Sequence, residues 1–495
     1  MLLKELVSSL PEKQIIGIGN PEVGSITYDS RCVTAGALFV CIRGARFNGH
    51  DFIHDALRKG AVAVLADDPQ FVRNTKLHIP VVLTPDSRRA MPVVASVFYG
   101  YPSRALKLVG VTGTKGKTTT TYLIESVLRQ LGLPTGVIGT LGAKIRGKAV
   151  PLDRTTPESV DLQKLLAQML VDGVSAAAME VSSHAIAFHR TEGCEFDVGV
   201  FTNLSHDHLD FHGSLDDYLK TKLRLFHEYP RKSQKPFTAV INADDSRSEQ
   251  VRKVVCGNVI TFGIHSPADI RATDVTIDMK GVSYLLHGPM GRLPISLKLR
   301  GAFNVYNSLA AAGTALALGL DMDDIKTGLE SLSAVDGRFE YVDCGQDFAV
   351  VVDYAHSPDS LENVLRSARE LTRGRVITVF GCGGDRDRMK RPIMGRIAAE
   401  MSDVCIITSD NPRTEDPEAI IAEIELGTQN GRAAIETVVD RRDAIKRSLE
   451  IAKPGDLVLI AGKGHETYQI FSDRTVHFDD REVVWELLAG CESGK

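Results

Sequence analysis

The chain has no apolar run long enough to cross a bilayer, so no membrane insertion is expected. Its first residues, Met-Leu-Leu-Lys-Glu-Leu, put an acid where a secretory leader carries its apolar core. Eight cysteines are scattered without a Cys-x-x-Cys pair, which argues against a zinc site or disulfide framework and for reduced thiols in the cytoplasm. A net charge of −5 gives no electrostatic case for nucleic acid or anionic membranes. There is no internal repeat and no low-complexity segment. There is also no Gly-x-Ser-x-Gly elbow and no cysteine paired with a nearby histidine, so covalent catalysis has no visible machinery. What remains is 495 residues of ordinary globular composition, 43% hydrophobic and 24% charged. That length is too great for one core and implies about two to four domains.

The most informative stretch is Leu108-Val-Gly-Val-Thr-Gly-Thr-Lys-Gly-Lys-Thr-Thr-Thr120. A β-like segment passes through a glycine-rich turn into a helix whose stripe is Leu123, Ile124, Val127, Leu128 and Leu131. This is the layout of a nucleoside triphosphate-binding loop. Its backbone N–H groups and the helix N-terminus suit phosphate oxygens. Lys117 would reach the terminal phosphates and Thr118 would hold Mg²⁺. The general pattern wants a glycine at Val111, so the loop is a variant, with glycines at 110, 113 and 116.

Three regions follow from punctuation and periodicity. Residues 1–97 read as a small N-terminal α/β domain, with strand candidates Ala37–Ile42, Ala61–Leu65 and Pro80–Leu83. Residues 98–334 read as a central phosphate-loop domain on a parallel sheet, with strands at Ala176–Met179, Val198–Phe201 and Ala239–Ile241. Residues 335–495 read as a Rossmann-like α/β domain. Here Ala349–Val352, Val376–Phe380, Val404–Thr408 and Leu457–Ala461 each run into a polar loop. Parallel strands would carry those four loops to one edge, bringing together His356, Arg386, Arg413 and Glu466.

Glu180, after an apolar strand, is a suitable oxygen ligand for Mg²⁺. His206, His208 and His212 compete nearby, and chemistry alone does not choose among them. Without a nucleophile, positioning and charge neutralisation must carry catalysis, as in phosphoryl transfer.

Together the motifs Gly113-Thr-Lys-Gly-Lys-Thr-Thr119, Met179-Glu-Val-Ser-Ser-His184, Thr202-Asn-Leu-Ser-His-Asp-His-Leu-Asp210, Gly301-Ala-Phe-Asn-Val305 and Val352-Asp-Tyr-Ala-His-Ser-Pro358 resemble the Mur ligases of peptidoglycan synthesis, in order and over essentially the whole chain. Thr27-Tyr-Asp-Ser-Arg31 and Gly36-Ala-Leu-Phe-Val40 resemble the branch acting at the third step. The resemblance implies a cytoplasmic monomer, an ATP-dependent amide-forming ligase of cell-wall synthesis, using ATP and two Mg²⁺ ions. It implies ATP contacts at Gly113, Thr114, Lys115, Gly116, Lys117, Thr118, Thr119, Asn304, Arg338 and Asp353. It selects His208, with Glu180, for the second Mg²⁺. It also implies a carbamylated metal-binding lysine at Lys222, which from sequence alone reads as a solvated helix lysine, with Lys220 close by. Ser30 resembles a uridine-nucleotide contact. Thr155, Thr156, Ser183 and Arg190 resemble contacts to UDP-N-acetylmuramoyl-L-alanyl-D-glutamate, whose D-glutamyl carboxylate would be activated as an acyl phosphate.

The added amine is lysine or meso-diaminopimelate in relatives. The second differs by a distal carboxylate, which an arginine holds bidentately. Asp410-Asn-Pro-Arg413 resembles the diaminopimelate-adding pattern, with Arg413 on that carboxylate. Arg386, Asp410, Asn411, Gly462 and Glu466 match other contacts, Glu466 facing an ammonium, and His356 would orient the amine. The alternatives are a lysine-adding enzyme, a folylpolyglutamate-synthase-like ligase, and a nucleotide-dependent switch. The folate-type ligase would lack the N-terminal domain and Asp-Asn-Pro-Arg. The switch would leave the C-terminal motifs unexplained.

Overall fold

The computed structural model describes residues 1–44, 47–74, 77–130, 132–289 and 291–492, so the predicted stripe residue Leu131 lies outside them. Among the described residues the strands form sheets of five, eleven and six, in chain order, plus a two-stranded hairpin. In the first sheet, Ala37–Val40, Ala61–Ala66 and Val81–Leu83 run parallel, with Gln14–Ile16 antiparallel at one edge. Ala37–Val40 is buried at every position, with separate apolar clusters on its two faces, as parallel strands covered by helices require.

The central sheet has the expected parallel strands and adds antiparallel ones at its ends. Its middle is parallel: Lys107–Thr112 lies between Ala176–Glu180 and Val198–Phe201, with Thr238–Asn242 and Asn258–Gly263 beyond. Both ends are antiparallel, through Thr135–Gly139, Gly142–Ile145 and Lys148–Val150 on one side. On the other side Ile270–Asp278, Gly281–Gly288 and Gly291–Leu297 form a meander. Ile270–Asp278 alternates between more and less exposed residues along its length because one of its faces meets solvent.

The helix Lys117–Gln130 follows the central strand. Leu123, Ile124, Val127 and Leu128 are at most 1% exposed and pack in the same core as helices Phe303–Ala317 and Met322–Ser331. Truncating one such leucine to alanine costs about 2–5 kcal/mol.

In the third sheet Ala349–Asp353, Leu457–Ala461, Val376–Phe380, Val404–Ile407 and Ala434–Thr437 are parallel neighbours in that order. Their apolar residues fill one cluster on each face. No helix among the described residues is long and apolar enough to cross a membrane.

Candidate functional site

The register of the central sheet builds the first half of the site. Glu180 pairs with Val111 and Phe201 with Thr112, so Glu180, Gly113 and Thr202 reach one edge together. Gly113 has φ +149°, and a Cβ there would lie 1.9 Å from Thr202 Oγ1, so only glycine fits. The loop is braced from the strand beside it. Thr202 Oγ1 donates to Lys115 O at 2.7 Å, and Lys115 N donates to Asn203 Oδ1 at 2.8 Å. Thr114 Oγ1 donates to Ser205 O at 3.3 Å. Lys117 Nζ donates to the carbonyls of Gly113 and Thr114 at 3.0 and 2.8 Å. Burial lowers its pKa, and Glu180 and Asp207 oppose that. Thr118 and Thr119 are buried at the helix start.

Glu180 is 1% exposed and accepts from Thr140 N at 2.8 Å and Thr140 Oγ1 at 3.2 Å. Thr140 Oγ1 also lies 3.2 Å from Thr155 Oγ1, and Thr156 Oγ1 donates to Glu180 O at 2.8 Å. Arg190 Nη1 donates to Thr156 O at 3.3 Å, while its Nε donates to Glu158 Oε1 at 2.9 Å. Ser183 Oγ is 2.9 Å from His212 Nε2. Thus Thr155, Thr156 and Arg190 join Glu180 in one polar network, while Ser183 pairs with His212. Ser30 stays apart from it, starting the turn Ser30–Cys32 in the N-terminal unit. Tyr28 of the same unit donates to Asp161 of the central unit at 2.6 Å.

The three histidines separate. His206 is exposed, and His212 is the partner of Ser183. His208 takes a left-handed backbone, φ +55°, and presents its ring edge to His184 at 4.9 Å. Among the described residues no three His, Cys, Asp or Glu side chains gather as a metal cage. Thr118 and Glu180 instead offer the oxygen donors that Mg²⁺ prefers when phosphates and waters complete its shell.

Lys222 is not the solvated lysine that its sequence suggests. It is 1% exposed, its Nζ donates to Gly113 O at 2.9 Å, and it sits 4.3 Å from the Tyr218 ring centroid. Burial, reinforced by Lys117, holds its amine well below the usual lysine pKa. Lys220 is exposed. The signal was available: Tyr218, Leu219, Lys222, Leu225, Phe226 and Tyr229 are the buried face of helix Leu215–Lys232, and Lys222 falls on that stripe. Cys256 Sγ does lie 3.7 Å from a histidine, His227 Nδ1, but in a different part of the central unit.

The third sheet builds the second half. Its parallel strands bring the loops beginning at Asp353, Gly381, Thr408 and Gly462 to the same edge. Asp353 accepts from Phe339 N at 2.7 Å, and burial raises its pKa. Asn411 Nδ2 donates to Glu466 Oε2 at 2.8 Å. Glu466 is pushed upward by burial, against the pull of Lys463. Gly462 has φ +118°, and a Cβ there would be 2.7 Å from Asp410 Oδ2. Asp410 is itself 8% exposed. Arg413, with φ +54°, donates through Nη1 to Gly384 O at 2.7 Å and makes no ion pair among the described residues. It is therefore half-buried with a neutral partner rather than unpartnered. Arg386 is exposed beside it, and both arginines approach Gly383. His356 is exposed, with Nδ1 2.8 Å from Tyr354 O.

The two halves meet. Arg338 Nη2 donates to Thr118 Oγ1 at 3.1 Å, and its guanidinium lies 5.0 Å from the Tyr354 ring centroid. Lys115 Nζ donates to Ser357 Oγ at 3.2 Å. Asn304 is fixed by donating to Arg300 O at 2.7 Å and accepting from Asn307 Nδ2 at 2.8 Å. Asn307 was not anticipated. It also accepts from Thr120, and a Cβ on Gly116 would lie 2.4 Å from its Oδ1, so it couples the loop to Asn304. Its i+3 spacing from Asn304 was the available signal.

Three family models match the chain: "Mur ligase family, catalytic domain" over residues 22–99, "Mur ligase middle domain" over 111–315, and "Mur ligase, glutamate ligase domain" over 337–464. A UDP-N-acetylmuramoyl-L-alanyl-D-glutamate--2,6-diaminopimelate ligase of Geobacillus thermodenitrificans is 46% identical over 486 residues, covering 98% of each chain. A solved structure of a ligase with that name superposes with a TM-score of 0.68 at 33% identity, covering 95% of each chain. A folylpolyglutamate synthase of Mycobacterium tuberculosis superposes at 0.61 with 19% identity, over 81% of this chain and 94% of its own, which is a likeness of fold alone.

Proposed function

Because this chain belongs to the Mur ligase family, we propose that it joins meso-diaminopimelate to UDP-N-acetylmuramoyl-L-alanyl-D-glutamate at the expense of ATP. In this reading residues 1–97 hold the uridine nucleotide, 98–334 the ATP phosphates and 335–495 the amino acid. The observation that carries it is the junction of the two halves. The phosphate loop contacts Arg338 and Ser357, while the loops carrying Arg413 and Glu466 share the sheet edge behind them.

The D-glutamyl carboxylate attacks the γ-phosphoryl group of ATP, giving an acyl phosphate and ADP. The amine of diaminopimelate then attacks the acyl carbon, phosphate leaves, and an amide remains. Lys117 and the loop N–H groups neutralise and orient the transferring phosphoryl group. Thr118, Glu180, His208 and a carbamylated Lys222 would hold Mg²⁺, which supplies further charge neutralisation when bound. The neutral amine that burial favours at Lys222 is the form able to take up carbon dioxide. Thr155, Thr156, Ser183 and Arg190 orient the dipeptide beside Glu180, and Ser30 contacts the uridine end. Arg413, assisted by Arg386, clasps the distal carboxylate of diaminopimelate. Asn411, Glu466 and the Asp410–Gly462 contact shape the ammonium end, and His356 orients the attacking amine. The chain acts as a cytoplasmic monomer in this scheme.

The test is phosphate release from ATP with the UDP-muramoyl-dipeptide and a panel of amines. Release that requires diaminopimelate is expected. Release with lysine alone, or with glutamate and a folate, would overturn the assignment.

A further inference from the structure

Lys463 was given no role by its sequence, yet it is 0% exposed. It lies in the loop between strand Leu457–Ala461 and strand Tyr468–Ile470, directly after Gly462. Its Nζ donates to Asn411 Oδ1 at 3.2 Å and to Glu466 Oε2 at 3.3 Å, and lies 5.6 Å from the Tyr468 ring centroid. Asn411 Oδ1 also accepts from Ile470 N at 3.0 Å, while its Nδ2 donates to Glu466 Oε2 at 2.8 Å. With two donors on Oδ1 and the amine on Glu466, the Asn411 amide has one orientation. Both bonds to the Glu466 carboxylate fall on Oε2, and among the described residues none is made to Oε1.

We infer that Lys463 is a positioning residue of the amino-acid pocket, whose buried ammonium locks Asn411 and Glu466 so that Glu466 Oε1 receives the ammonium of the incoming amino acid. This rests on the functional reading above. A half-buried carboxylate beside Asp410 is helped to stay ionised by a fixed cation before the substrate arrives. Lys463 supplies one without entering the pocket. The charged and titratable groups around Glu466 are Lys463 and Tyr468 on its own segment, Asp410 and Tyr354 from neighbouring loops, and Arg441 from helix Arg441–Ile451. Lys463 is the cation that touches it.

Lys463→Met in the full chain tests this. The KM for diaminopimelate should rise about tenfold or more, with the KM values for ATP and UDP-muramoyl-dipeptide within about twofold. Loss of the cation raises the pKa of Glu466, so the acid limb of kcat/KM for diaminopimelate should move up by about half a pH unit or more. Lys463→Arg should leave that limb in place. Lys463→Gln, which keeps a donor for Asn411, should show the same shift even if Lys463→Met does not fold. In a Glu466→Gln background, Lys463→Met should add less than about a twofold effect. A uniform rise in all three KM values with an unmoved acid limb, or fully multiplicative effects in the double variant, would overturn the inference. Absence of diaminopimelate-dependent phosphate release from the unaltered chain would overturn the functional reading instead.

Discussion

Arg338 and Thr118 are joined across two sheets by a 3.1 Å hydrogen bond from guanidinium to hydroxyl. The arginine follows the central unit and packs on Tyr354 at the edge of the third sheet. The threonine begins the helix after the phosphate loop. If this edge holds ATP as proposed, the bond makes nucleotide binding depend on how the two sheets are set against each other. Arg338→Ala is expected to raise the KM for ATP about 10- to 100-fold, the range of a hydrogen bond to a charged group. The KM for diaminopimelate should change by less than about threefold. Initial-rate phosphate release checks both, and equal rises would contradict the assignment.

Arg413 tests substrate choice. Its guanidinium reaches a carbonyl, Gly384 O, and has no carboxylate partner among the described residues, so it can accept one from a ligand. Arg413→Ala should lower kcat/KM for diaminopimelate on the order of 10²- to 10³-fold while sparing ATP. The preference over lysine should collapse, because lysine lacks the distal carboxylate. Competition between the two amines at equal concentration measures it.

Lys222 makes a prediction in two parts. If its amine carries a carbamate, Lys222→Met should lose activity on the order of 10²-fold or more, while Lys220→Met keeps it. Rates should fall in carbon dioxide-depleted buffer and return with bicarbonate. The second part is stability. Burial holds the folded-state pKa well below the ordinary 10.5, so between the folded and unfolded pKa values the unfolded chain binds more protons at this site. That penalty is greatest below the folded pKa and disappears as pH rises to the unfolded value. Lys222→Met should therefore melt above the carbamate-free native chain at pH 7, with the gap closing toward pH 10. A constant gap across that range would refute the burial argument.

Arg441 and Asp480 form a pair in which both side chains are 0% exposed, 2.7 Å apart, and Arg441 also donates to Ala461 O. Arg441→Leu should destabilise the third unit by about 3–5 kcal/mol, because it strands a buried carboxylate. The double variant Arg441→Leu/Asp480→Leu should recover much of that loss. Urea unfolding of the three proteins gives the comparison.

Much of the fold was legible because buried parallel strands are short apolar runs followed by polar loops. Val198–Phe201, Val376–Phe380 and Leu457–Ala461 stand where their sequences predict. The antiparallel strands between residues 270 and 297 were not read, since polar positions alternate with apolar ones along them and the apolar signal is diluted. In the site, the phosphate loop, Glu180 and Arg413 announced themselves through residue type and flanking strands. Lys222 was betrayed only by its place on the apolar stripe of its helix, and Lys463 not at all, because a lysine in a string of letters looks solvated.

The sequence alone determined the phosphate loop, the strand–loop rhythm of the third unit and the chemical kinds of group available. These depend on local conformation and on residue type. The tertiary structure decided which of them meet. Register brought Glu180 to the same edge as the phosphate loop, strand order brought Asn411 to Glu466, and packing took Lys463 out of water. Contacts between distant segments and the loss of hydration are properties of the folded chain, and no local pattern encodes them.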